Sequence, residues 1–242
     1  MSDYVFLLTA CINPGSVPVL RSDPEVRRAD YLKSIKCWAS NDAVKKIIFC
    51  ENSGADLSDI ELILQESGKS YELLTFQGQR FDPKKGKGYG EMEIIKHVFK
   101  NSQLIHQHST IIKVTGRYYV SNIESFIDKL PKADVIADWR HNLTWTDSRV
   151  YCATHSFYKR YFLPLHELLD DTTGMSFEAG LSRAIHRAMY EGGVYAMMPL
   201  ALKFEGYPGS SSFGPNHSFP RGRLNYLKRE IFRRIKSAVI SR

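Results

Sequence analysis

The stretch T-I-I-K-V-T-G-R-Y-Y-V-S-N, residues 110–122, decides the fold. Its β-branched run, Thr110-Ile111-Ile112-Lys113-Val114, reads as a central strand. The strand breaks at Thr115-Gly116 and delivers Arg117, Tyr118 and Tyr119. A polar loop at the carboxyl end of a central strand is where open α/β sheets hold ligands. This loop carries positive charge and no carboxylate. Lys113 and Arg117 suit a phosphate or diphosphate group. The plainer alternative is a surface lysine and an arginine in a solvated salt bridge.

Upstream, strands and helices alternate. Residues 5–10 (VFLLTA) are a short apolar strand, left through Cys11-Ile12-Asn13-Pro14-Gly15. Asp23-Pro24-Glu25 opens a helix with proline in its first turn. It runs to about Trp38, and its basic residues, Arg27 and Arg28, either face solvent or reach a ligand, solvent being the plainer assignment. Residues 46–50 (KIIFC) form a second strand ending in Glu51-Asn52-Ser53-Gly54. Glu51 and Asn52 can accept hydrogen bonds from a nucleoside, or simply make a turn before the helix that starts near Asp56. Residues 71–76 (YELLTF) are a third strand. This rhythm predicts an α/β fold with covering helices. No G-x-G-x-x-G or Walker A sequence follows a strand, which removes most support for dinucleotide or ATPase readings.

The glycine- and lysine-rich segment 81–91 (FDPKKGKGYGE) precedes a helix on which Met92, Ile95, Val98 and Phe99 share helical spacing. Its glycines allow close approach of a ligand, and a helix N-terminus with Lys85 and Lys87 favours an anion. Glu91 is either a cap-side carboxylate or a ligand for a hydroxyl or base. Downstream, residues 133–140 read as a strand with an acid near each end, residues 145–154 as further strand, and residues 156–162 as the start of a helix. Phe177, Leu181, Ile185 and Met189 share one face of a later helix, and Glu178 lies one position off that face near its start. Glu178 suits a general base, or an ordinary acid against the helix dipole. Residues 205–220 are turn-rich.

A chain of 242 residues with 43% hydrophobic content suits one sizeable domain, residues 1–220, with a small appendage at 221–242. The net charge is +7, yet residues 1–220 hold 25 basic and 25 acidic residues, so the tail carries the whole excess. A neutral body argues against a nucleic-acid partner. The four cysteines form no C-x-x-C pair and read as buried thiols in a reducing compartment. No signal-like N-terminus and no membrane-length apolar run are present, so the expected location is the cytoplasm.

With these segments in order, the chain resembles the GT-A nucleotide-sugar glycosyltransferases, especially small bacterial enzymes of O-antigen, capsule or lipooligosaccharide synthesis. The resemblance covers most of residues 4–205. Phe49-Cys50-Glu51-Asn52-Ser53-Gly54 resembles their nucleoside-holding second-strand segment. Gly86-Lys87-Gly88-Tyr89-Gly90-Glu91 resembles the glycine-containing helix start beside the nucleotide. Ser176-Phe177-Glu178-Ala179-Gly180-Leu181-Ser182-Arg183 resembles the acidic motif of the acceptor-side helix. The resemblance implies a GT-A-like mixed central sheet flanked by helices, a nucleotide-sugar donor, a glycan or lipid-linked acceptor, and Glu178 as catalytic base. Asp171 and Asp170 are the reserve candidates for that role. Such enzymes commonly carry an Asp-x-Asp pair that binds a divalent metal, and this sequence has none. Thr115-Gly116-Arg117-Tyr118 stands in the matching place. Either a carboxylate elsewhere holds a metal, with Asp138 and His217 as distant candidates, or positive side chains replace it. Metal use is left open.

Two other classes compete: a sugar nucleotidyltransferase and a non-catalytic interaction protein. The former normally has a glycine-rich phosphate loop after the first strand, where this chain has one glycine, Gly15. Leu224, Leu227, Ile231 and Ile235 recur at helical spacing among the tail's Lys and Arg residues. The expectation is a basic amphipathic helix at an anionic membrane, at the inner face of the cytoplasmic membrane, or the same stripe folded onto the body.

Overall fold

The computed structural model describes residues 4–139, 143–207 and 231. β1 (Tyr4–Ala10) leads to α1 (Pro24–Ser40), β2 (Lys46–Glu51), α2 (Ser58–Glu66) and β3 (Ser70–Thr75). Asp23 caps α1: its carboxylate accepts the amides of Glu25 and Val26, and Pro24 supplies a first-turn residue with no amide to satisfy. Then come α3 (Gly86–Asn101), β4 (Thr110–Thr115), β5 (Tyr119–Val120), α4 (Ile123–Ile127), β6 (Val135–Ala137) and β7 (Val150–Thr154). The last elements are α5 (His155–Phe157), α6 (Phe177–Tyr190), β8 (Tyr195–Met197) and β9 (Phe204–Glu205).

Seven strands form one sheet in the order β3-β2-β1-β4-β7-β6-β8. β3, β2, β1 and β4 run parallel, and β7 pairs antiparallel with both β4 and β6. This is the α/β class and the mixed central sheet expected from the sequence. The period-2 alternation of β1 assigns its faces. Phe6 stacks against Trp38 of α1, with centroids 5.4 Å apart, while Thr9 reaches α3 on the opposite face through Glu91. A sheet covered on both faces needs apolar strands on both sides, and Val5, Leu7, Leu8, Ile47, Ile48 and Phe49 are fully buried.

Several local expectations change. α3 begins at Gly86 rather than near Met92, so the glycine-rich segment is itself helical. The helix expected from Ser156 breaks up: α5 passes into a π turn at Tyr158–Phe162 and a 3₁₀ segment at Leu163–Leu168. Pro164 lacks the amide that a continuing α-helix requires. On α6, Phe177, Leu181 and Ile185 are buried, but Met189 is 46% exposed and Ala188 takes the last inward place. Among the described residues no helix is long and apolar enough to cross a membrane. The tail at 221–242, apart from Ile231, lies outside the described residues, as does His217.

Candidate functional site

Chain connections lead outward from β1 through β2 and β3 on one side, and the sheet continues through β4 on the other. A crevice forms at the carboxyl edge of such a switch point. Here it is an open cleft of about 600 Å³, walled by Thr9, Cys11, Arg27, Gln79, Glu91 and Arg117, among others. Gly116 is needed to build it. Its amide donates to the Thr9 carbonyl at 2.8 Å, and a Cβ there would lie 2.8 Å from the same oxygen.

Beneath the cleft floor lies an ion pair. Lys113 shares a strand face with Thr115 and is fully buried. Its ammonium donates to Ser148 O at 2.7 Å and Thr115 Oγ1 at 3.1 Å, and it pairs with Glu91. An ammonium has three donors, so none is left for a phosphate. The expected phosphate-binding role of Lys113 is therefore corrected to a structural one. Glu91 Oε1 also accepts from Thr9 Oγ1 at 2.9 Å. Burial pushes the Glu91 carboxyl up, but the charge and hydrogen bond of Lys113, the Thr9 bond and Arg117 together bring it below its ordinary value. Glu91 is thus neither a cap nor a free ligand group.

Glu51 is corrected in the same way. It is fully buried, and its two oxygens accept from the amides of Ile12 (2.8 Å), Ser53 (2.9 Å) and Ala55 (3.1 Å) and from Ser53 Oγ (2.5 Å). Those bonds fill its lone-pair sites and tie the loops after β1 and β2 together. Asn52 does reach the cleft wall, but its amide is engaged: Nδ2 donates to Gly90 O at 3.0 Å, and Oδ1 accepts from Gln79 Nε2 at 2.8 Å. It therefore positions Gln79, whose own Oε1 is buried with no partner among the described residues.

Arg27 takes the less plain of the two places open to it: instead of facing solvent it is 4% exposed and walls the cleft. Nε donates to Cys11 O at 2.7 Å and Nη1 to Arg21 O at 2.9 Å, with a longer contact to Tyr31 Oη. Among the described residues no carboxylate pairs with it. Arg28, one position on, does face outward and pairs with Asp59 at 2.8 Å. Arg117 also lines the cleft, and its Nε is buried without a partner among the described residues. The charges of Arg27 and Arg117 both act on Cys11, whose thiol burial nevertheless pushes up to about 11. Both arginines line the same cleft.

At the rim, Lys87 lines the cleft and Lys85 sits over the Tyr89 ring, 4.2 Å from its centroid. The glycines beside them serve close contacts within the protein rather than with a ligand. Gly86 adopts φ 84° against Asp171, and a Cβ on Gly88 would lie 2.9 Å from Phe177 Cβ. Glu178 stands in the first turn of α6, capped by Ser176, and its Oε1 accepts from Ser148 Oγ at 2.8 Å. A continuous chain of contacts thus runs Glu91, Lys113, Ser148, Glu178. Glu178 is half-buried and lies beyond the cleft's own walls. Asp171 is near it: burial raises the Asp171 carboxyl and the charge of Glu178 adds to this, with Lys87 opposing. Asp170 caps the turn that follows it, accepting from the Thr172 amide at 2.8 Å.

As for a metal, no three His, Cys, Asp or Glu side chains converge as ligands among the described residues. The Asp138 carbonyl receives the Asp147 amide at 2.8 Å, and Asp147 is paired to Arg149.

No protein-family model and no curated protein matches the chain. Solved structures similar to it include three of related architecture. The galactosyltransferase LgtC, in complex with donor and acceptor sugar analogs, is 11% identical over 79% of this chain and 73% of that one, with a TM-score of 0.47. HddC from Yersinia pseudotuberculosis is 15% identical over 85% and 93%, with a TM-score of 0.38. The 4-diphosphocytidyl-2C-methyl-D-erythritol synthase from Anaerococcus prevotii is 8% identical over 95% and 96%, with a TM-score of 0.42. At such identities function has to be read from the residues of the cleft.

Proposed function

We propose that the protein is an inverting glycosyltransferase that uses a nucleotide-sugar donor and a hydroxyl acceptor, a glycan or lipid-linked glycan of the cell surface. The observation that carries the reading is the cleft at the switch point. There, among the described residues, a buried guanidinium without a carboxylate, Arg27, lines the same space as Gln79, whose amide oxygen Oε1 has no partner. One calls for an anion and the other for a hydrogen-bond donor; a nucleotide offers both. Glu178 acts as general base. It deprotonates the acceptor hydroxyl as that oxygen attacks the anomeric carbon, and the nucleotide leaves from the opposite face. Ser148 holds the carboxylate in orientation, and Asp171 adds a second negative group beside it.

The nucleotidyltransferase reading meets a specific obstacle. The backbone amides after β1, which a phosphate-cradling loop would present, are already bonded. Cys11 N donates to Tyr31 Oη, Ile12 N to Glu51 and Asn13 N to Ser53 Oγ, at 2.9, 2.8 and 3.1 Å. Calorimetric titration with UDP-, GDP- and CMP-sugars, followed by a nucleotide-release assay with sugar acceptors, tests the proposal. Binding and acceptor-dependent release are expected. Transfer of a nucleoside monophosphate from a nucleoside triphosphate to a sugar 1-phosphate, with release of pyrophosphate, would instead establish the rival.

A further inference from the structure

We propose that Arg27 and Arg117 together clamp a diphosphate in the cleft, in place of the divalent cation that an Asp-x-Asp pair would bring. The inference rests on the reading of the cleft as a nucleotide site and goes on to say how the phosphates are held. Three of the five Arg27 donors are occupied, two of them by the Cys11 and Arg21 carbonyls, which fix the guanidinium in place without neutralising it. Burying a charge with no counter-charge is costly, so the site is complete only with an anion beside Arg27. Arg117 is an independent pointer. It leaves the end of β4, where the sequence has Thr115-Gly116-Arg117, and its Nε is buried and unbonded in the same cleft. Two guanidinium forks suit two phosphate groups.

The residues present do not fit a divalent ion. Magnesium and calcium take oxygen ligands, chiefly carboxylates and carbonyls. The carboxylate on the cleft wall, Glu91, is paired to Lys113, and the flanking arginines repel a cation. Lys87 at the rim adds a third positive charge.

The test is calorimetric binding of UDP, CDP, GDP, ADP and inorganic pyrophosphate to the full chain, in EDTA and in manganese. At least one probe is expected to bind in EDTA within about twofold of its affinity in manganese. Arg117→Gln is expected to weaken that probe by about 10- to 100-fold, with only a small fall in the melting temperature of the free protein from the lost contact with Tyr118 and the lost charge near Glu91. Arg27→Gln is expected to weaken it at least as much. Because Arg27 also ties two loops, its result is read alongside its melting temperature, and Arg117→Gln decides the matter. A tenfold or greater loss of affinity in EDTA, or unchanged binding by Arg117→Gln, overturns the clamp while leaving the nucleotide site intact. Failure of every probe in both conditions overturns the nucleotide reading itself.

Discussion

Glu91→Gln isolates the role of the buried ion pair. The substitution keeps the side chain's shape and its acceptor for Thr9, but removes the negative charge facing Lys113. The Lys113 side chain is 0% exposed and that of Glu91 20%. The stranded ammonium keeps only the neutral oxygens of Thr115 and Ser148. Breaking a buried pair by removing one partner costs about 3–5 kcal/mol, and partial access of water to Glu91 favours the lower end. At about 2–4 °C per kcal/mol for a chain of this size, the melting temperature should fall by roughly 6–12 °C. Lys113→Met leaves the partly hydrated carboxylate behind and should cost less, about 1–2 kcal/mol. The double variant should recover more than half of the Glu91→Gln loss. The pH dependence has a defined sign. The folded-state carboxyl lies below its ordinary value, so its contribution is complete above that value and is lost as pH falls through the folded one. The gap between wild type and Glu91→Gln should therefore begin to narrow only below about pH 4, the ordinary carboxyl range, and go on narrowing as pH falls further. Urea denaturation followed by circular dichroism, supported by thermal melts across pH, measures all of this. A Glu91→Gln loss under about 0.5 kcal/mol at neutral pH would refute the buried-pair account and reopen Lys113 as a ligand group.

Two further substitutions or truncations probe the cleft floor and the tail. Gly116→Ala places a Cβ 2.8 Å from the Thr9 carbonyl and should cost about 1–3 kcal/mol by forcing β1 and its neighbour apart, read from the same melts. The full chain should co-sediment with anionic vesicles at low salt and a chain ending at Pro220 should not, each tail cation adding on the order of 1 kcal/mol; equal, negligible sedimentation of both would remove the membrane proposal.

The order of the strands was legible because their β-branched and apolar runs are short and bounded by turn residues. Asp23-Pro24 likewise announced α1. Side-chain roles were harder to read, because each depends on what comes from elsewhere in the chain. Lys113 looks like a ligand group at a strand end, but period 2 puts it on the face toward α3, where Glu91 arrives from 22 positions upstream. That inward phase was a readable sign that a buried acid was required. Arg27 sits on a helix rich in polar residues, and only the loop from Cys11 to Arg21, folding back over it, takes it out of water. Its spacing of four from Tyr31, the inward-facing aromatic, was the available hint. Gln79 is a lone amide in a loop with no periodicity, and nothing in the sequence distinguishes its Oε1 from a solvated one. The place of Glu178 in the first turn of its helix was legible because the apolar stripe Phe177, Leu181, Ile185 fixes where that helix begins.

The most direct test of the sugar-transfer account is Glu178→Gln, assayed for donor binding and turnover on the same preparation. This variant keeps the side-chain size and an acceptor for Ser148 Oγ but removes the base. The account predicts donor affinity within about twofold of wild type and a turnover loss of about 100- to 10,000-fold, with the residual and wild-type products both of inverted anomeric configuration. Wild-type turnover in Glu178→Gln, or a product that retains the donor's configuration, would contradict it.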